Sequence, residues 1–544
     1  MSDESPEPPI SDEAASQLGA RDALRLLTNL VALAPTNLED PPRHRYEKPR
    51  YTATVDRLAR YARDLGLPTR IIDPMGDPAH SSVLEGGPRP NLIVDLDVGA
   101  RERVLILAHY DVVPVPVEQR ERWKTPPHVL TRRSDGRLYG RGANDDLGSG
   151  VVASYLALKR LTAGEPPRRN VRLLVCCDEE TGGAGGIESL KEHDERLPPG
   201  DPGRVLVGDV ALIPDGSPHT TAGSCGLAFL DAEFDRPVPL SAVLDYGEFL
   251  VALHDTVRRW MSRYPSPDWP DHGAPEPVLT GRATVTKFDL RAAGGSPGPG
   301  ELVLARAETD AANQIAESVT LGFSSPAPGA PSILERIRSV VAAPYRVHEG
   351  ATTSGEVPPG TQLLTIQGTG AHGGYPHRGH NPVPAAFAAL RHGLAAGWIP
   401  SGGPVEATFS VDLRLTPEMS LDDGLPGVLT QVESWIRSSG LPAQIDAPPS
   451  RCRGGYCLAP DHPAVLRLDR LLRETVGSDG VFGEYGGTDA SSLSGLTTPS
   501  GEPLPAIVFG SMDREANIHQ AEESVDPRLL GGVARAIERF VREP

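Results

Sequence analysis

The sequence predicts an α/β fold, with a main domain built on a mostly parallel central sheet flanked by helices and a second, α+β domain inserted into it. The chain has 544 residues, which is too long for one ordinary hydrophobic core. Short apolar runs that do not alternate with polar residues, such as 104–108, are typical of strands covered on both faces. A central stretch with Pro- and Gly-rich tracts differs in character from both flanks, which indicates an insertion.

The elements of the main domain follow from apolar periodicity and from the residues that interrupt it. The predicted helices are 20–33, 51–65, one that begins directly after Gly150, and 528–541. The predicted strands are 70–73, 90–94, 104–108, 171–177 and the run before Asp215. Because these strands alternate with helices, they predict a parallel sheet with helices on its faces.

The inserted domain shows strands and helices in a different arrangement. Its predicted strands are 227–234, 302–307, 362–367 and 407–415. Its predicted helices are 249–262, 383–394 and 425–438. The resulting domain prediction is a disordered tail at 1–17, the first part of the main domain at 18–226, the insertion at 227–450 and the second part of the main domain at 451–544.

Composition and charge exclude several classes of partner. The net charge is −19, from 72 acidic and 53 basic residues, so neither nucleic acid nor an anionic membrane surface is expected as a principal partner. The N-terminal residues are acidic and Pro-rich and no apolar run is long enough to span a bilayer, so we expect a cytoplasmic protein without a signal peptide. Adjacent Cys176 and Cys177 in an apolar strand indicate reduced thiols, whereas Cys452 and Cys457 could pair or bind metal.

The first candidate site residues stand where the strand 104–108 ends. His109 and Asp111 follow it, and strand ends in open α/β sheets are where ligands bind. Two residues apart on an extended chain, they point to the same side, which favours His109 as a metal ligand and Asp111 as the neighbour that orients its imidazole. A His-x-Asp sequence alone is more often a surface turn, so this interpretation depends on further ligands.

Acidic side chains recur at similar positions along the chain. Asp145 follows a Gly-rich turn, three carboxylates at 178–180 follow the strand 171–177, and Asp215 follows another apolar run. A helix cap or a solvated acidic turn would explain the first two individually. Neighbouring carboxylates repel one another unless cations neutralise them, which favours a metal site. His519 lies in a loop before the last helix and adds a second imidazole.

The candidate ligands are therefore His109, Asp145, Glu180, Asp215 and His519. Two imidazoles and three carboxylates suit two divalent ions, most favourably Zn²⁺, with Mn²⁺ or Co²⁺ as alternatives, and one carboxylate must bridge them. Such a pair polarises a carbonyl and lowers the pKa of a bound water. A carboxylate that is not a ligand should take the water's proton and pass it to a leaving amine, and Glu179 suits that role.

Eight motifs in this order resemble one known family: HYDVVP, DGRLYGRGANDD, DEETGG, PDGS, GTGAHGGYPHRGHNP, VDLR, GGTDA and HQAEE. The family comprises dinuclear-zinc exopeptidases and amidohydrolases, including aminoacylase, carnosinase-type dipeptidases, glutamate carboxypeptidase, succinyl-diaminopimelate desuccinylase and bacterial dipeptidases with an enlarged lid. The resemblance implies a catalytic domain and an inserted lid with an enlarged ferredoxin-like core. It also implies that His109 and Asp215 bind one ion, Glu180 and His519 the other, and that Asp145 bridges them. Asp111 would orient His109, and Glu179 would be the general acid/base.

The same resemblance implies residues that contact the substrate. His372 stands in a GxHxxxPxxGxN pattern that ends at Asn381 and would donate to the developing oxyanion, although His377 and His380 compete for that role. Arg414 would bind a substrate carboxylate through its planar guanidinium. The further substrate contacts would be Asn381, Gly486, Gly487 and Thr488.

Two positions depart from the family's pattern. Leu147 stands where relatives commonly carry Lys, and His128 where they commonly carry Phe, and neither is a predicted ligand. The segment before His372 is long, which resembles the lid of monomeric dipeptidases, so a monomer is favoured over a homodimer.

The sequence therefore predicts a metal-dependent hydrolase that cleaves the amide bond of a dipeptide or short peptide with a free carboxylate. The near alternative is an N-acyl-amino-acid deacylase, and the remote one is a non-catalytic binding protein on the same fold. The predicted partner is a small-molecule peptide or N-acyl amino acid.

Overall fold

The computed structural model describes residues 21–36, 50–76, 87–115, 117–261, 282–294, 297–307, 309, 314–327, 329, 331–350, 357–372, 379–400, 403–417, 421–447, 452–459, 461–484 and 488–544. The chain divides into two compact units. The first unit comprises Met1–Gly223, Tyr456–Gly483 and Thr488–Pro544, and the second comprises Ser224–Gly455 and Glu484–Gly487. The predicted tail at 1–17 lies outside the described residues, and the predicted domain boundaries remain a prediction.

The described strands, in chain order, are β1 (Thr69–Ile72), β2 (Asn91–Leu96), β3 (Arg103–His109), β4 (Thr131–Arg132), β5 (Leu138–Tyr139), β6 (Asn170–Cys176), β7 (Val210–Ile213), β8 (Thr220–Ser224), β9 (Gly226–Phe234), β10 (Val238–Pro239), β11 (Arg282–Ala292), β12 (Leu302–Ala307), β13 (Gln314–Ile315), β14 (Ser318–Phe323), β15 (Arg346–Glu349), β16 (Gln362–Gln367), β17 (Ala371–His372), β18 (Pro404–Leu415), β19 (Ala443–Asp446), β20 (Cys452–Arg453), β21 (Tyr456–Cys457), β22 (Val481–Glu484), β23 (Ala506–Val508) and β24 (Ser524–Val525).

The described α-helices are α1 (Arg21–Leu33), α2 (Tyr51–Asp64), α3 (Val117–Arg120), α4 (Ala153–Thr162), α5 (Ile187–Glu195), α6 (Leu240–Met261), α7 (Ile333–Val340), α8 (Val383–Ala395), α9 (Leu421–Ser439), α10 (Pro463–Thr475), α11 (Asp489–Ser492) and α12 (Pro527–Arg542). A π-helical turn at Leu147–Val152 leads directly into α4.

The first unit is built on a sheet with the strand order β1-β2-β6-β3-β7-β23-β8-β21, and β22 pairs with β8. Its centre is parallel, because β3 pairs in parallel with β6 and β7, and β7 with β23. Antiparallel pairs lie on either side, between β1 and β2, β2 and β6, and β23 and β8. Every residue of β6 is buried, which explains why its sequence does not alternate. The predicted mostly parallel central sheet is confirmed.

The parallel strands place their carboxyl ends at one edge of this sheet. Strand β3 ends at His109, β6 precedes Asp178–Glu180, and β7 precedes Asp215. The loop that bears His519 follows β23. Because parallel neighbours end on the same side, residues far apart in sequence come together there.

The N-terminal helices and the closing helix lie within one residue of their predicted bounds. The helix predicted to begin directly after Gly150 begins earlier than predicted, because the π-helical turn at Leu147–Val152 precedes α4. Small residues permit this close packing: a Cβ at Gly150 would lie 1.8 Å from Asp146 Oδ2. The turn is therefore packed directly against the acidic segment that precedes it.

The second unit is built on an antiparallel sheet with the strand order β15-β16-β14-β12-β11-β18-β9-β19. Two short strands extend this sheet, because β10 pairs with β18 and β20 pairs with β9. Its helices cover a core that includes Phe288, Phe387 and Phe409. The strands predicted at 302–307 and 362–367 are confirmed, and β18 begins three residues before its predicted start. Helix α6 begins nine residues before the predicted Phe249. The α+β character of this part of the chain is confirmed.

Two observations concern the chain as a whole. No helix in its described part is both long and apolar enough to cross a membrane. All five cysteines lie among the described residues, and none of them forms a disulfide.

Candidate metal centre

His109 occupies the last position of β3 and is almost fully buried, with 1% of its surface exposed. Its Nδ1 lies 3.0 Å from the carbonyl oxygen of Asp111 and 3.5 Å from Asp111 Oδ1. A ring nitrogen engaged in this way fixes the orientation of the imidazole, so Nε2 faces the other acidic residues. That side of the ring contains Asp145 Oδ1 at 3.1 Å and Asp215 Oδ2 at 3.8 Å.

Asp145 lies between the two imidazoles. Its Oδ1 is 3.1 Å from His109 Nε2, and its Oδ2 is 3.0 Å from His519 Nε2. One carboxylate that offers one oxygen to each of two imidazoles has the arrangement of a bridging ligand between two ions. Glu180 Oε2 lies 3.0 Å from the same His519 nitrogen, so this side of the cluster also contains a second carboxylate.

Asp111 also orders the acidic turn that follows β6. Its two carboxylate oxygens accept the backbone N–H groups of Glu179 at 3.1 Å and Glu180 at 3.2 Å. Asp178, the first residue of this turn, has a φ of 57°. His519 likewise has a φ of 62°. Left-handed backbone at residues other than glycine costs energy and is concentrated at functional sites.

Asp178 is itself fixed by a buried network. Arg89 Nε donates to its Oδ2 at 2.7 Å, and the Tyr51 hydroxyl donates to its Oδ1 at 3.1 Å. Burial, together with the charge of Asp111, still raises the pKa of Asp178 to about 6. These contacts explain how a strained acidic turn remains in one conformation.

The donor set fits divalent ions. His109, Asp145 and Glu180 each offer a ligand atom within 4.8 Å of one another, and so do His109, Asp146 and Asp215. Among the described residues, the buried atom Oε1 of Glu180 has no hydrogen-bond partner. A buried polar atom without a hydrogen bond is costly, and a coordinated cation would satisfy it.

The charges of these groups perturb one another strongly. Burial alone lowers the pKa of His109, but hydrogen bonds with Asp111 and Asp145 outweigh it and raise that pKa well above 6.5. Burial likewise opposes the change at His519, where the charge of Glu180 and the hydrogen bond with Asp145 raise the pKa well above 6.5. The same two imidazoles hold the pKa of Asp145 below its ordinary value against the effect of burial.

The other carboxyl groups shift in the opposite direction. Burial raises the pKa of Glu180 to about 7 and raises that of Asp215 well above 3.8, with the charge of Asp145 adding to both. Without cations, the cluster therefore binds protons in their place.

Sequence reasoning missed Asp146, which follows Asp145 and is fully buried. Its Oδ2 accepts the backbone N–H of His109 at 3.2 Å, and its carboxylate belongs to one of the two ligand groups. Two adjacent aspartates in GANDD gave the signal, but only one was assigned a role. Sequence reasoning also missed Glu523, Arg141 and Gln119, which lie behind the cluster and form hydrogen bonds with one another.

The predicted substrate contacts are placed as follows. The side chain of His372, and Gly486 and Gly487, lie outside the described residues. Thr488 caps α11, because its hydroxyl accepts the N–H of Ala490 at 3.1 Å. Arg414, with 1% of its side chain exposed, forms a bidentate ion pair with Asp412 at 2.6 and 2.7 Å.

Asn381 and Leu147 have structural contacts. Asn381 Nδ2 donates to the carbonyl of Val285 at 3.0 Å, and its Oδ1 accepts the N–H of Val383 at 3.0 Å, at the start of α8. Leu147 is completely buried in the π-helical turn. An apolar side chain suits that position.

Comparison with known proteins identifies the family. The sequence model of peptidase family M20/M25/M40 matches residues 105–543. This match covers well over half of the chain, so the protein belongs to that family. The match includes every ligand candidate of the cluster.

Individual relatives match shorter segments. Succinyl-diaminopimelate desuccinylase from Acidovorax ebreus (strain TPSY) is 42% identical over 104 residues, which is 18% of this chain and 25% of that protein. Cys-Gly metallodipeptidase dug1 from Schizosaccharomyces pombe (strain 972 / ATCC 24843) is 31% identical over 159 residues, or 29% of this chain and 32% of that protein. These matches span about a quarter to a third of the curated relatives' length.

Among solved structures, the di-peptidase Dug1p from Saccharomyces cerevisiae has a TM-score of 0.54 over 98% of this chain and 98% of that chain. The two sequences are 13% identical, so this likeness shows the shared fold.

Proposed function

We propose that this protein is a metal-dependent hydrolase that cleaves an amide bond with the help of two divalent ions, of which Zn²⁺ is the first candidate and Mn²⁺ or Co²⁺ the alternatives. The observation that carries the proposal is the position of Asp145, whose two oxygens lie 3.1 Å from His109 Nε2 and 3.0 Å from His519 Nε2. Asp215 completes the proposed ligand set of the ion at His109, and Glu180 completes that of the ion at His519. Family membership supports the same reaction class.

The chain's own residues have distinct proposed roles. When bound, the ions would polarise the scissile carbonyl and lower the pKa of the attacking water. Glu179 accepts a proton from that water and returns it to the leaving amine, so the C–N bond breaks as a carboxylic acid and an amine form. Asp111 holds the backbone of Glu179 and orients His109, which keeps the base and a ligand in fixed relation.

Two further residues are proposed to act on the substrate. His372 donates a hydrogen bond to the developing oxyanion, and one such donor can contribute about 10²–10³ in rate. Arg414 binds the free carboxylate of the substrate. Because Arg414 already pairs with Asp412, this binding requires the guanidinium to share its donors between two carboxylates.

The proposed substrate is a dipeptide or short peptide with a free carboxylate. The long segment before His372 and the metallodipeptidase match favour it. The alternative is an N-acyl-amino-acid deacylase. It is favoured by the 42% identity to a desuccinylase, although that match covers a shorter segment of 104 residues. We propose that the protein acts as a monomer, with a homodimer as the alternative.

The deciding experiment combines metal analysis with a substrate library. The purified protein is analysed for metal, then incubated with dipeptides and with acetyl- and succinyl-amino acids before and after chelation, and products are identified by mass spectrometry. About two ions per chain with chelator-sensitive release of an amino acid supports the proposal. Cleavage of the acylated substrates alone would move the assignment to the deacylase, and absence of metal and turnover after Zn²⁺, Mn²⁺ or Co²⁺ is added would contradict both.

A further inference from the structure

A buried ion pair lies directly behind the metal centre. Arg141 Nη1 donates to Glu523 Oε2 at 2.5 Å, and each of the two side chains is 1% exposed. Arg141 belongs to the turn that precedes Asp145, and Glu523 to the segment that follows His519. A fully buried ion pair often adds little net stability, so its contacts with the neighbouring backbone bear on what it does.

The second oxygen of Glu523 contacts the backbone of the bridging residue. Its Oε1 accepts the N–H of Asn144 at 3.2 Å and the N–H of Asp145 at 3.3 Å. The carboxylate therefore divides its oxygens between the guanidinium of Arg141 and the backbone that carries the Asp145 side chain. Glu523 therefore holds the backbone on which the orientation of the Asp145 side chain depends.

The other side of Arg141 leads to the second imidazole. Its Nη2 donates to Gln119 Oε1 at 2.8 Å, and Gln119 Nε2 donates to the backbone carbonyl of His519 at 2.9 Å. Hydrogen bonds thus connect Asp145 to His519 in the order Asp145, Glu523, Arg141, Gln119, His519. In this connection, Glu523 and Gln119 bond to the backbone of Asp145 and His519.

Other ion pairs also hold the loop that carries His519 to the rest of the first unit. On the same loop, Glu522 pairs with Arg133, and Asp513 forms a bidentate pair with Arg137 at 2.7 and 2.8 Å. Among the hydrogen bonds of the described residues, neither pair involves the backbone of a proposed ligand. Glu523 differs from these residues because its carboxylate accepts the backbone N–H of Asp145.

We propose that Glu523 is a positioning residue that, through Arg141 and Gln119, fixes Asp145 relative to His519 so that one carboxylate can serve both ions. This inference rests on the proposed two-ion site. It predicts that loss of the Glu523 carboxylate weakens the binding of both ions, because both share Asp145.

The test replaces Glu523 with its uncharged isostere, Glu523→Gln, in the full-length protein. The amide has one acceptor oxygen and one NH2 group, so in either orientation the NH2 group faces a donor and one contact is lost, with the guanidinium of Arg141 or with the backbone N–H of Asp145. The matched control is Glu522→Gln, which removes a neighbouring carboxylate whose partners are Arg133 and the N–H of Lys124. Metal-free protein of each variant is titrated with Co²⁺, and affinity is measured against a competing chelator while the visible absorption spectrum reports ligand geometry.

We expect Glu523→Gln to lower Co²⁺ affinity by about 10–100-fold and to alter the absorption spectrum of the loaded protein. We expect Glu522→Gln to keep the affinity and the spectrum of the unchanged protein. If Glu523→Gln lowers only the thermal midpoint of the metal-free protein, and affinity and spectrum stay the same, Glu523 is merely structural and the inference is wrong.

A second variant keeps the test decisive if Glu523→Gln does not fold. Gln119→Ala removes the link to the His519 carbonyl and leaves the Arg141–Glu523 pair intact, so it should also lower Co²⁺ affinity and change the spectrum. Unchanged affinity and spectrum in Gln119→Ala would overturn the inference. Failure of the unaltered protein to bind two Co²⁺ ions would instead contradict the proposed function, which separates the two outcomes.

Discussion

At the scale of single residues, the proposed ligands and the proposed base have different contacts. Asp145 lies within hydrogen-bond distance of His109 and His519, at 3.1 and 3.0 Å, and the backbone N–H of the half-buried Glu179 donates to Asp111. A side chain that must exchange protons with water and with an amine needs this access. The roles of Glu179 and His519 can therefore be tested separately.

We predict that Glu179→Gln keeps both ions and loses about 10²–10⁴ in turnover, because the isosteric amide cannot accept a proton. His519→Ala should instead lose the ion on the Glu180 side. Metal analysis of both variants, together with kcat on the best substrate, distinguishes the two effects. Glu188→Gln, a change on the exposed side of α5, serves as the control and should retain metal and turnover. Retained activity in the Glu179→Gln variant would show that Glu179 is not the general base.

At the scale of elements, the π-helical turn at Leu147–Val152 supports the metal centre through close packing. Asp146 lies between this turn and β3, and its Oδ2 accepts the N–H of His109. Gly150 leaves room for that carboxylate, because a Cβ there would approach Asp146 Oδ2 to 1.8 Å. The absence of a side chain at Gly150 is therefore a requirement of the site.

We predict that Gly150→Ala destabilises the metal-free protein by about 1–3 kcal/mol through overpacking. Helix propensity alone predicts the opposite sign, because Ala is favoured over Gly by about 1 kcal/mol in a helix. Urea unfolding measures the difference. Gly76→Ala is the matched control, since a Cβ there would meet nothing within 4 Å, and its effect should stay within about 0.5 kcal/mol. A stabilised Gly150→Ala variant would show that Asp146 can move freely.

At the scale of the whole molecule, metal binding should be linked to protons. Without ions, the raised pKa values of His109 and His519 keep these imidazoles protonated above pH 6.5, and the raised pKa values of Glu180 and Asp215 hold further protons. Ions require neutral imidazoles and ionised carboxylates, so their binding must displace these protons.

We therefore predict that metal affinity rises as the pH increases above 6.5, through the pKa of Glu180 at about 7 and the raised pKa values of the two histidines, and that binding releases protons. Calorimetric titration with Zn²⁺ in two buffers of different protonation enthalpy measures the number released. The stability of the metal-free protein should change in the opposite sense: the contribution of the histidines is complete below pH 6.5 and is lost as the pH rises through their raised pKa values. Binding without proton release would show that the imidazoles are already neutral.

The sequence by itself determined the central parallel strands and the residues that follow them. Covered strands leave uninterrupted apolar runs, so β3, β6 and the end of β7 could be identified, and His109, Glu180 and Asp215 with them. Eight motifs in a fixed order supported the family resemblance, which the family match confirms. The site roles assigned to these residues remain predictions.

Only the tertiary structure gives the contacts between these groups. The resemblance implied that Asp145 bridges two ions, but no local pattern shows that its two oxygens lie 3.1 Å from His109 Nε2 and 3.0 Å from His519 Nε2. The early start of α6, the π-helical turn and the Arg141–Glu523 pair were also absent from the local pattern. Periodicity reports which face of an element is buried, but contacts between loops depend on how strands are ordered in the sheet, and that order is set by packing across the whole unit.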